Sequence, residues 1–301
     1  MAIWGIDLGG TKIEAVVLSG SESPQVLYRE RIDTEANGGY EHIIGRISLL
    51  IGQVAKGYGQ RPEKIGIGTP GTMDPISGTM KNSNTTALNE MPFQQDLEAA
   101  LGIPVAMAND ANCFALAEAK IGVVKDEMPD AKMVFGVIMG TGVGGGLVMD
   151  GKVWNGRQGI AGEWGHNFLD ESGGECYCGK VGCVETVISG KNLERYHRET
   201  YDENKKLKQI YQEHLSGGFP NSTATIERLI HFFGLGISSL INVLDPDVIV
   251  LGGGVGNIDL LYTEGVESIK KFVFNPRVDT KILKPKLGDS AGVFGAAFLA
   301  E

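Results

Sequence analysis

Two glycine-rich segments carry the residue types best suited to phosphate binding. Residues 5–12 read GIDLGGTK, and residues 140–146 read GTGVGGG. Each segment follows a short apolar run and precedes another, which predicts a turn between two strands. Glycine lets such a turn tighten and brings bare N–H groups against an anion. Two of these hairpins in one chain favour two lobes that hold a polyphosphate between them.

The second segment also matches G-x-G-x-x-G through Gly140, Gly142 and Gly145, a pattern found in dinucleotide-binding folds. Those folds need a helix directly after the turn. Residues 146–153, GLVMDGKV, instead predict a strand, an Asp-Gly turn and another strand. We therefore predict a phosphate-binding hairpin. A nicotinamide-dependent oxidoreductase and an ordinary glycine-rich turn are the alternatives.

A histidine and three closely spaced cysteines form a candidate metal site: His166, Cys176, Cys178 and Cys183. Three thiolates and one imidazole complete a tetrahedral zinc site and leave no position for a reactive water. We predict a structural zinc ion that pins the surrounding loop. Three free cysteines in a loop are the alternative. The remaining cysteine, Cys113, lies in an apolar helical segment and is predicted to be a core residue.

Several polar residues stand where an α/β protein binds ligands. Asp110 falls between a predicted strand at 104–108 and a predicted helix at 111–119, and it could be either a ligand-binding carboxylate or a helix N-cap. Glu163 precedes His166 by three residues, an arrangement that suits the hydroxyls of a polyol or sugar. Residues 81–86 form either a ligand loop or a plain surface connection.

The composition of the 301 residues, 42% hydrophobic and 21% charged, indicates a globular protein whose length fits two domains better than one. The net charge of -10, without a run of lysines or arginines, argues against a general role on nucleic acid or an anionic membrane. The sequence is predicted to enter a strand at Ile3 without a signal segment, and no apolar run is expected to be long enough for a membrane span. We therefore expect a cytoplasmic protein.

The predicted elements alternate between strands and helices, which indicates an α/β fold. An apolar stripe over residues 43–54 predicts a helix, and residues 172–190 read as a glycine- and cysteine-rich loop. Further predictions are strands at 3–7, 13–18, 26–32, 134–139 and 248–251, and helices at 93–101, 226–244 and 292–299, with polar helical sequence over 191–215.

Taken together, these motifs resemble the ROK family of sugar kinases and related repressors. The resemblance spans nearly the whole chain, and it is carried by DLGGTK (7–12), NDAN (109–112), GTGVG (140–144), GEWGH (162–166), CYCG (176–179), GCVE (182–185) and LGGG (251–254). It implies the actin-like, hexokinase-type ATPase fold, with two ribonuclease H-like α/β lobes around a cleft and a structural zinc loop. We expect residues 1–118 and 289–301 in the smaller lobe, and residues 119–288 in the larger one.

The resemblance implies an ATP- and Mg²⁺-dependent kinase acting on a hexose hydroxyl. Residues 81–84 (KNSN), Trp164 and Asn167 are most like ROK-type fructokinases, which predicts conversion of fructose to fructose 6-phosphate. A glucokinase, a kinase of N-acetylglucosamine or N-acetylmannosamine, and a non-catalytic sugar-sensing protein are the alternatives. Only two residues precede Ile3, so we expect no DNA-reading helix-turn-helix there. A homodimer without nucleic-acid or membrane partners is expected.

The resemblance also implies roles for individual residues. Asp110 is the expected catalytic base, since phosphoryl transfer needs a carboxylate that orients the attacking hydroxyl. Asp7 would face Mg²⁺ through water; otherwise it is a turn residue at a strand end. Glu185 would contact sugar or only support the zinc loop. The expected phosphate contacts are Gly9, Gly10, Thr11, Lys12, Gly140, Thr141 and Gly142; the adenosine contacts are Gly252, Gly253 and Gly254; and the sugar contacts are Gly71, Asn84, Asn109, Asp110, Glu163, His166 and Glu185.

Overall fold

The computed structural model describes residues 1–21 and 23–301, which form strands and helices in alternation. The first half of the chain contains β1 (Ile3–Leu8), β2 (Lys12–Leu18), β3 (Val26–Asp33), α1 (Tyr40–Tyr58), β4 (Ile65–Thr69), β5 (Thr72–Met73), β6 (Met80–Lys81), α2 (Phe93–Leu101), β7 (Val105–Asn109), α3 (Asp110–Lys120) and α4 (Val123–Glu127). The second half contains β8 (Met133–Met139), β9 (Val143–Met149), β10 (Lys152–Val153), α5 (Val184–Ile188), α6 (Gly190–Tyr201), α7 (Leu207–Ser216), α8 (Pro220–Leu244), β11 (Val248–Gly252), α9 (Glu264–Lys270), β12 (Lys281–Leu283) and α10 (Ala291–Leu299).

The chain divides into two compact units. Unit 1 consists of Met1–Asp130, Gly146–Gly162 and Lys286–Glu301; unit 2 consists of Ala131–Gly145 and Glu163–Pro285. Strand β9 begins in unit 2 and ends in unit 1. From the sequence we expected the boundaries between the two lobes after residue 118 and after residue 288. This division into lobes remains a prediction.

Unit 1 is built on a five-stranded sheet in the order β3-β2-β1-β4-β7. β1 pairs antiparallel with β2, whereas β4 lies parallel to both β1 and β7. Asp7 is opposite Gly68, and Gly68 is opposite Ala108, so the carboxyl ends of three strands meet in one row. Ligands of open α/β sheets bind at this edge.

Helix α1 covers one face of the sheet through the apolar stripe that the sequence predicts. Ile43, Ile47, Leu50 and Val54 are fully buried and pack in one cluster with the side chains of β1 and β2. The helix ends at Gly59, which has a φ of 89°, a left-handed conformation that suits glycine. The period of 3.6 residues thus sets the buried face of this helix.

Helix α10 packs on the other face of the sheet of unit 1, where glycines in the strands let the backbone of the helix approach the backbone of the sheet. A β-carbon at Gly66 of β4 would collide with the carbonyl oxygen of Ala296, and one at Gly5 of β1 would lie 2.8 Å from the Cα of Ala297. The absence of side chains at these two positions brings the last helix of the chain directly onto the first strands.

Unit 2 contains the parallel strands β8, β11 and β12, and the strand order of the second sheet is β10-β9-β8-β11-β12. Two local predictions were wrong here. β9 begins at Val143, so Gly144 and Gly145 belong to the strand and not to the turn, and the predicted loop over residues 172–190 contains helix α5.

Helix α8 contradicts the expectation that no apolar segment is long enough to span a membrane. Its 25 residues are long and apolar enough to cross a bilayer by length and composition, with a mean hydropathy of 1.2 in the most apolar window, so the prediction that no segment meets these criteria was wrong. Core helices of globular proteins meet the same criteria, and 61% of this window is buried within the protein. Leu229, Phe233 and Ile237 are fully buried.

Two glycine-to-alanine changes test the contact between β4 and α10. Gly66→Ala should lower the free energy of unfolding by about 1 to 3 kcal/mol, because the new methyl group overpacks a closed contact. Gly52→Ala, on the open side of α1 where nothing lies within 4 Å of the added atom, should raise it by about 0.5 to 1 kcal/mol. Urea unfolding of both variants measures the difference; equal stability would contradict the packing described here.

Candidate functional site

The first glycine hairpin is fixed by a threonine from a later segment. The N–H of Gly9 donates to the carbonyl of Lys12 (3.0 Å), which closes the turn between β1 and β2. The hydroxyl of the buried Thr34 donates to the carbonyl of Gly9 (2.6 Å), and its N–H donates to the carbonyl of Thr11 (2.8 Å). The turn is therefore held in shape, and Gly10 and Thr11 remain exposed.

Two carboxylates of unit 1 share the row of strand ends. Burial raises the pKa of Asp7 to about 6, and the negative charges of Asp110 and Glu14 act in the same direction. The surrounding protein also raises the pKa of Asp110, although this residue keeps a solvent-exposed side and accepts a hydrogen bond from the N–H of Ala111 (2.7 Å). Each carboxylate thus holds a proton more readily than an ordinary aspartate.

The neighbours of Asp110 fix the start of α3. Asn109 is the N-cap, because its Oδ1 accepts from the N–H of Asn112 (2.8 Å). The alternative interpretation of Asp110 as the N-cap was wrong. Oδ1 of the buried Asn112 accepts from the N–H of Leu147 (2.9 Å), which ties the first turn of α3 to β9. No role for Asn112 was predicted from the sequence.

The polar segment over residues 81–86 is an ordered loop against the end of β4. Asn89 clamps it, because its Oδ1 accepts from the N–H of Ser83 (2.8 Å) and its Nδ2 donates to the carbonyl of Ser83 (3.1 Å). A β-carbon at Gly71 would lie 2.8 Å from the Cα of Ser83, so only glycine fits there. Asn84 is left exposed on this loop.

The second glycine hairpin lies in unit 2 and is held by residues from both sides of the cysteine loop. Glu185 accepts a hydrogen bond from the N–H of Val143 (2.9 Å), and the indole N–H of Trp164 donates to the carbonyl of Gly144 (3.1 Å). The N–H of Gly190 donates to the carbonyl of Gly140 (2.8 Å). The hairpin backbone is therefore anchored on several sides.

The predicted metal ligands come together in unit 2. The candidate donor atoms of His166, Cys176, Cys178 and Cys183 all lie within 4.8 Å of one another. Sγ of Cys178 is 3.6 Å from that of Cys183, and Sγ of Cys176 is 3.5 Å from Nδ1 of His166. A tetrahedral zinc ion with bonds of about 2.3 Å to sulfur separates its thiolates by about 3.8 Å. The four residues therefore fit zinc.

The remaining nitrogen of His166 has a partner within the same unit. Nε2 lies 2.9 Å from the hydroxyl of Tyr177, whose ring meets the imidazole edge to face. Burial raises the pKa of Tyr177 to about 12, and the charge of Glu185 adds to this shift. His166 was predicted from the sequence to contact sugar; in this structure its Nε2 faces a tyrosine. Glu163 lies half-buried at the start of the turn that carries His166.

A cavity of about 1110 Å³ lies beside the second hairpin. Gly140, Thr141 and Gly254 form one side of it. Gly253 has a φ of 81°, and the turn over residues 252–254 follows β11 next to the end of β8. Apolar residues from α7 and the segment after β11 supply much of the lining: Leu207, Tyr211, Leu215, Val255 and Ile258. Such a wall suits a planar ring.

The metal interpretation makes a prediction about composition and stability. We expect one zinc ion per chain by elemental analysis, and loss of the ion with a lower melting temperature in Cys183→Ser, because a structural metal contributes its binding energy to folding. Cys113→Ala is the control: it removes a buried thiol outside the cluster and should keep the metal. A metal-free wild-type protein with unchanged stability in Cys183→Ser would contradict the assignment.

Comparison with known proteins gives a consistent result. The sequence model of the protein family described as ROK family matches residues 3–301. The N-acetyl-D-glucosamine kinases of Vibrio parahaemolyticus and Pasteurella multocida are each 37% identical to the chain, and each alignment covers 98% of both proteins. These names give no support to the predicted preference for fructose.

Solved structures agree on the fold. The ROK hexokinase from Thermus thermophilus has a TM-score of 0.87 at 31% identity and covers 100% of this chain and 98% of its own. A ROK family glucokinase from Streptomyces griseus, in complex with glucose and AMPPNP, has a TM-score of 0.78 at 28% identity over 100% and 99% of the two chains. The chain therefore belongs to the ROK family and is a sugar kinase with the actin-like, two-sheet α/β fold.

Proposed function

We propose that this kinase transfers the terminal phosphoryl group of Mg-ATP to a hydroxyl of N-acetyl-D-glucosamine. The observation that carries the transfer is Asp110, which follows β7 directly, keeps an exposed surface and has a carboxyl group whose pKa is raised by burial. The identity of the acceptor is supported by the curated relatives, which are named N-acetyl-D-glucosamine kinases. Phosphoryl transfer depends on positioning and charge stabilisation, and both units supply groups of the kind required.

Asp110 is the proposed base. A carboxylate that accepts the proton of the attacking hydroxyl works best when its pKa lies above that of an ordinary aspartate, which burial provides here. Because Asn109 caps α3, Asp110 is not needed for that purpose. Asn112 docks the same turn on β9 and so positions the base.

The nucleotide contacts are proposed for each unit by itself. Gly9, Gly10, Thr11 and Lys12 of unit 1 are proposed to bind its phosphates, and Asp7 to hold Mg²⁺ through water. In unit 2 the residues from Gly140 to Gly142 are also proposed to bind the phosphates. The adenine ring would occupy the cavity beside residues 252–254, where Leu207 and Tyr211 offer apolar surface.

The sugar contacts are proposed from exposed or half-buried polar groups. In unit 1 these are Asn84, Asn109 and Asp110, with Gly71 supporting the loop that carries Asn84. In unit 2 they are Glu163 and His166. A zinc ion held by the four ligands would supply no chemistry to the transfer, because a closed ligand set has no open position; the residues around it orient His166.

Fructose is the second candidate acceptor, since residues 81–84, Trp164 and Asn167 resemble fructokinases. The indole of Trp164 is buried, with 4% of its surface exposed, and its N–H donates to the carbonyl of Gly144. This tryptophan supports the hairpin, which weakens its value as a sign of sugar preference. A cytoplasmic location and a homodimer remain predictions.

Asp110→Asn tests the proposed base. The change keeps the shape of the side chain but removes its basicity, so kcat should fall by about 10² to 10⁴ while sugar and nucleotide still bind. In the wild-type protein the carboxylate must be deprotonated, so kcat/KM should fall as the pH drops through its raised pKa, above the range of an ordinary aspartate. Asp130→Asn, an exposed change elsewhere in unit 1, should have no effect. Activity of Asp110→Asn within tenfold of wild type would refute the role.

A coupled assay of ADP release over a panel of sugars tests the acceptor. We expect kcat/KM to be highest for N-acetyl-D-glucosamine, because a pocket that pairs with the acetamido group leaves polar atoms unpaired when a plain hexose binds. Glucose, N-acetylmannosamine and fructose are the comparisons. A higher value for fructose would restore the second candidate and overturn the first.

A further inference from the structure

One helix of unit 2, α7, forms an apolar wall of the cavity beside the second hairpin. Its residues Leu207, Tyr211 and Leu215 line the cavity, and their spacing of four residues places them on one face of the helix. Another side of α7 packs on α8, because Ile210 is fully buried in a cluster with Ile226. The fit of a ring into this cavity therefore depends on where α7 is held.

The first turn of α7 has no capping side chain of its own. Lys206, the residue before the helix, has an extended backbone, and its side chain makes no capping hydrogen bond. Glu194 of α6 supplies the missing acceptor: its Oε1 accepts the N–H of Leu207 (3.0 Å), and its Oε2 accepts from Nζ of Lys206 (2.9 Å). A carboxylate at this position pairs an N–H that the helix itself leaves unpaired, and its charge suits the positive end of the helix.

The helix that carries Glu194 also holds the second hairpin. Helix α6 begins at Gly190, whose N–H donates to the carbonyl of Gly140 (2.8 Å). Gly190 and Glu194 are four residues apart, so they lie on the same face of α6. A β-carbon added at Gly190 would lie 3.1 Å from the carbonyl oxygen of Gly140 and 3.7 Å from Cδ2 of Leu207. One turn of α6 therefore sets the distance between the hairpin and the apolar wall.

Other contacts keep α7 attached when Glu194 is changed. Oε2 of Glu213 accepts from the hydroxyl of Ser222 in α8 (2.6 Å) and from Nζ of Lys205 (2.6 Å). The buried cluster around Ile210 adds apolar packing. Loss of the Glu194 carboxylate should therefore loosen the first turn of α7 without unfolding unit 2.

We propose that Glu194 is a positioning residue for the nucleotide: it fixes the first turn of α7 and so places Leu207 against the base, at a set distance from the second hairpin. This inference rests on the proposed function, because it takes the base of the nucleotide as the occupant of the cavity. Glu194 uses both carboxylate oxygens within the protein, so its effect on affinity passes through α7. It should change the binding of the phosphoryl donor and leave sugar affinity and the chemical step unchanged.

Binding and kinetic measurements test this role. Isothermal titration with Mg-AMPPNP should show an affinity about five- to tenfold lower in Glu194→Ala, because a hydrogen bond to a charged acceptor is lost. KM for ATP should rise by the same factor while kcat stays unchanged, since the wall contacts the nucleotide equally before and during the transfer. A separate titration with N-acetyl-D-glucosamine should give the wild-type affinity.

Three further variants serve as controls. The amide oxygen of Glu194→Gln can still accept the N–H of Leu207, although the charge pair with Lys206 is lost, so most of the nucleotide affinity should return. Glu199→Ala removes an exposed carboxylate from the same helix and should change neither affinity. If Glu194→Ala fails to fold by circular dichroism, Glu194→Asp, which withdraws the carboxylate oxygens by one methylene, takes its place and should show the same split between nucleotide and sugar.

A double-mutant cycle distinguishes a positioning role from a direct contact with the nucleotide. Leu207→Ala should weaken Mg-AMPPNP binding by itself, because it removes apolar surface beside the base. Once the side chain of Leu207 is truncated, its position no longer matters. Adding Glu194→Ala to Leu207→Ala should therefore weaken binding much less than Glu194→Ala does alone. A direct contact between Glu194 and the nucleotide would instead make the two effects multiply.

The outcomes are separable. Unchanged nucleotide affinity in Glu194→Ala, or in Glu194→Asp if that variant takes its place, would overturn this inference and leave the kinase proposal standing. An equal loss of sugar affinity, or effects that multiply in the cycle, would also overturn it. A wild-type protein that binds no Mg-AMPPNP would remove the proposed function, and this inference with it.

Discussion

The register of the parallel strands in unit 1 is the constraint on which its chemistry depends. Asp7, Gly68 and Ala108 stand opposite one another, so the chain leaves β1, β4 and β7 at the same edge of the sheet. A shift of one residue in any strand would turn its side chains to the other face. The negative charge of Asp110 can raise the pKa of Asp7 because this register holds.

Unit 2 uses a different means to fix its functional loop. Its cysteine loop has few apolar residues to bury, and a cluster of sulfur and nitrogen donors takes the place of a core there. The residues next to that cluster then hold the glycine hairpin through Glu185 and Trp164. An ordered cysteine loop therefore also fixes the glycine hairpin, which has few side chains of its own.

Much of this arrangement could be predicted from the sequence because the signals are local. Glycine spacing predicted both hairpins, ligand spacing predicted the metal cluster, and the apolar stripe of α1 predicted its buried face. What was missed depends on partners far along the chain. Thr34 reaches back to the first hairpin, and Asn112 binds β9. Many other threonines and asparagines in a sequence make no such long-range hydrogen bond, so residue type alone does not identify these two.

The wrong predictions have a related cause. Gly144 and Gly145 were interpreted as part of a turn, yet they lie in β9, where the carbonyl of Gly144 accepts a hydrogen bond from the indole of Trp164. Tertiary contact decided the conformation against local propensity. Trp164 was treated as a mark of substrate preference, whereas it is buried against the hairpin backbone.

The position of α10 has a consequence for the order of biosynthesis. Its glycine-mediated contacts cover part of one face of the sheet of unit 1, but the ribosome adds residues 286–301 only after all of unit 2 has been made. Domains usually fold from the N-terminus as they emerge. In this protein the nascent unit 2 can reach its final structure first, while one face of the N-terminal sheet stays only partly covered, by α3, until α10 has been translated.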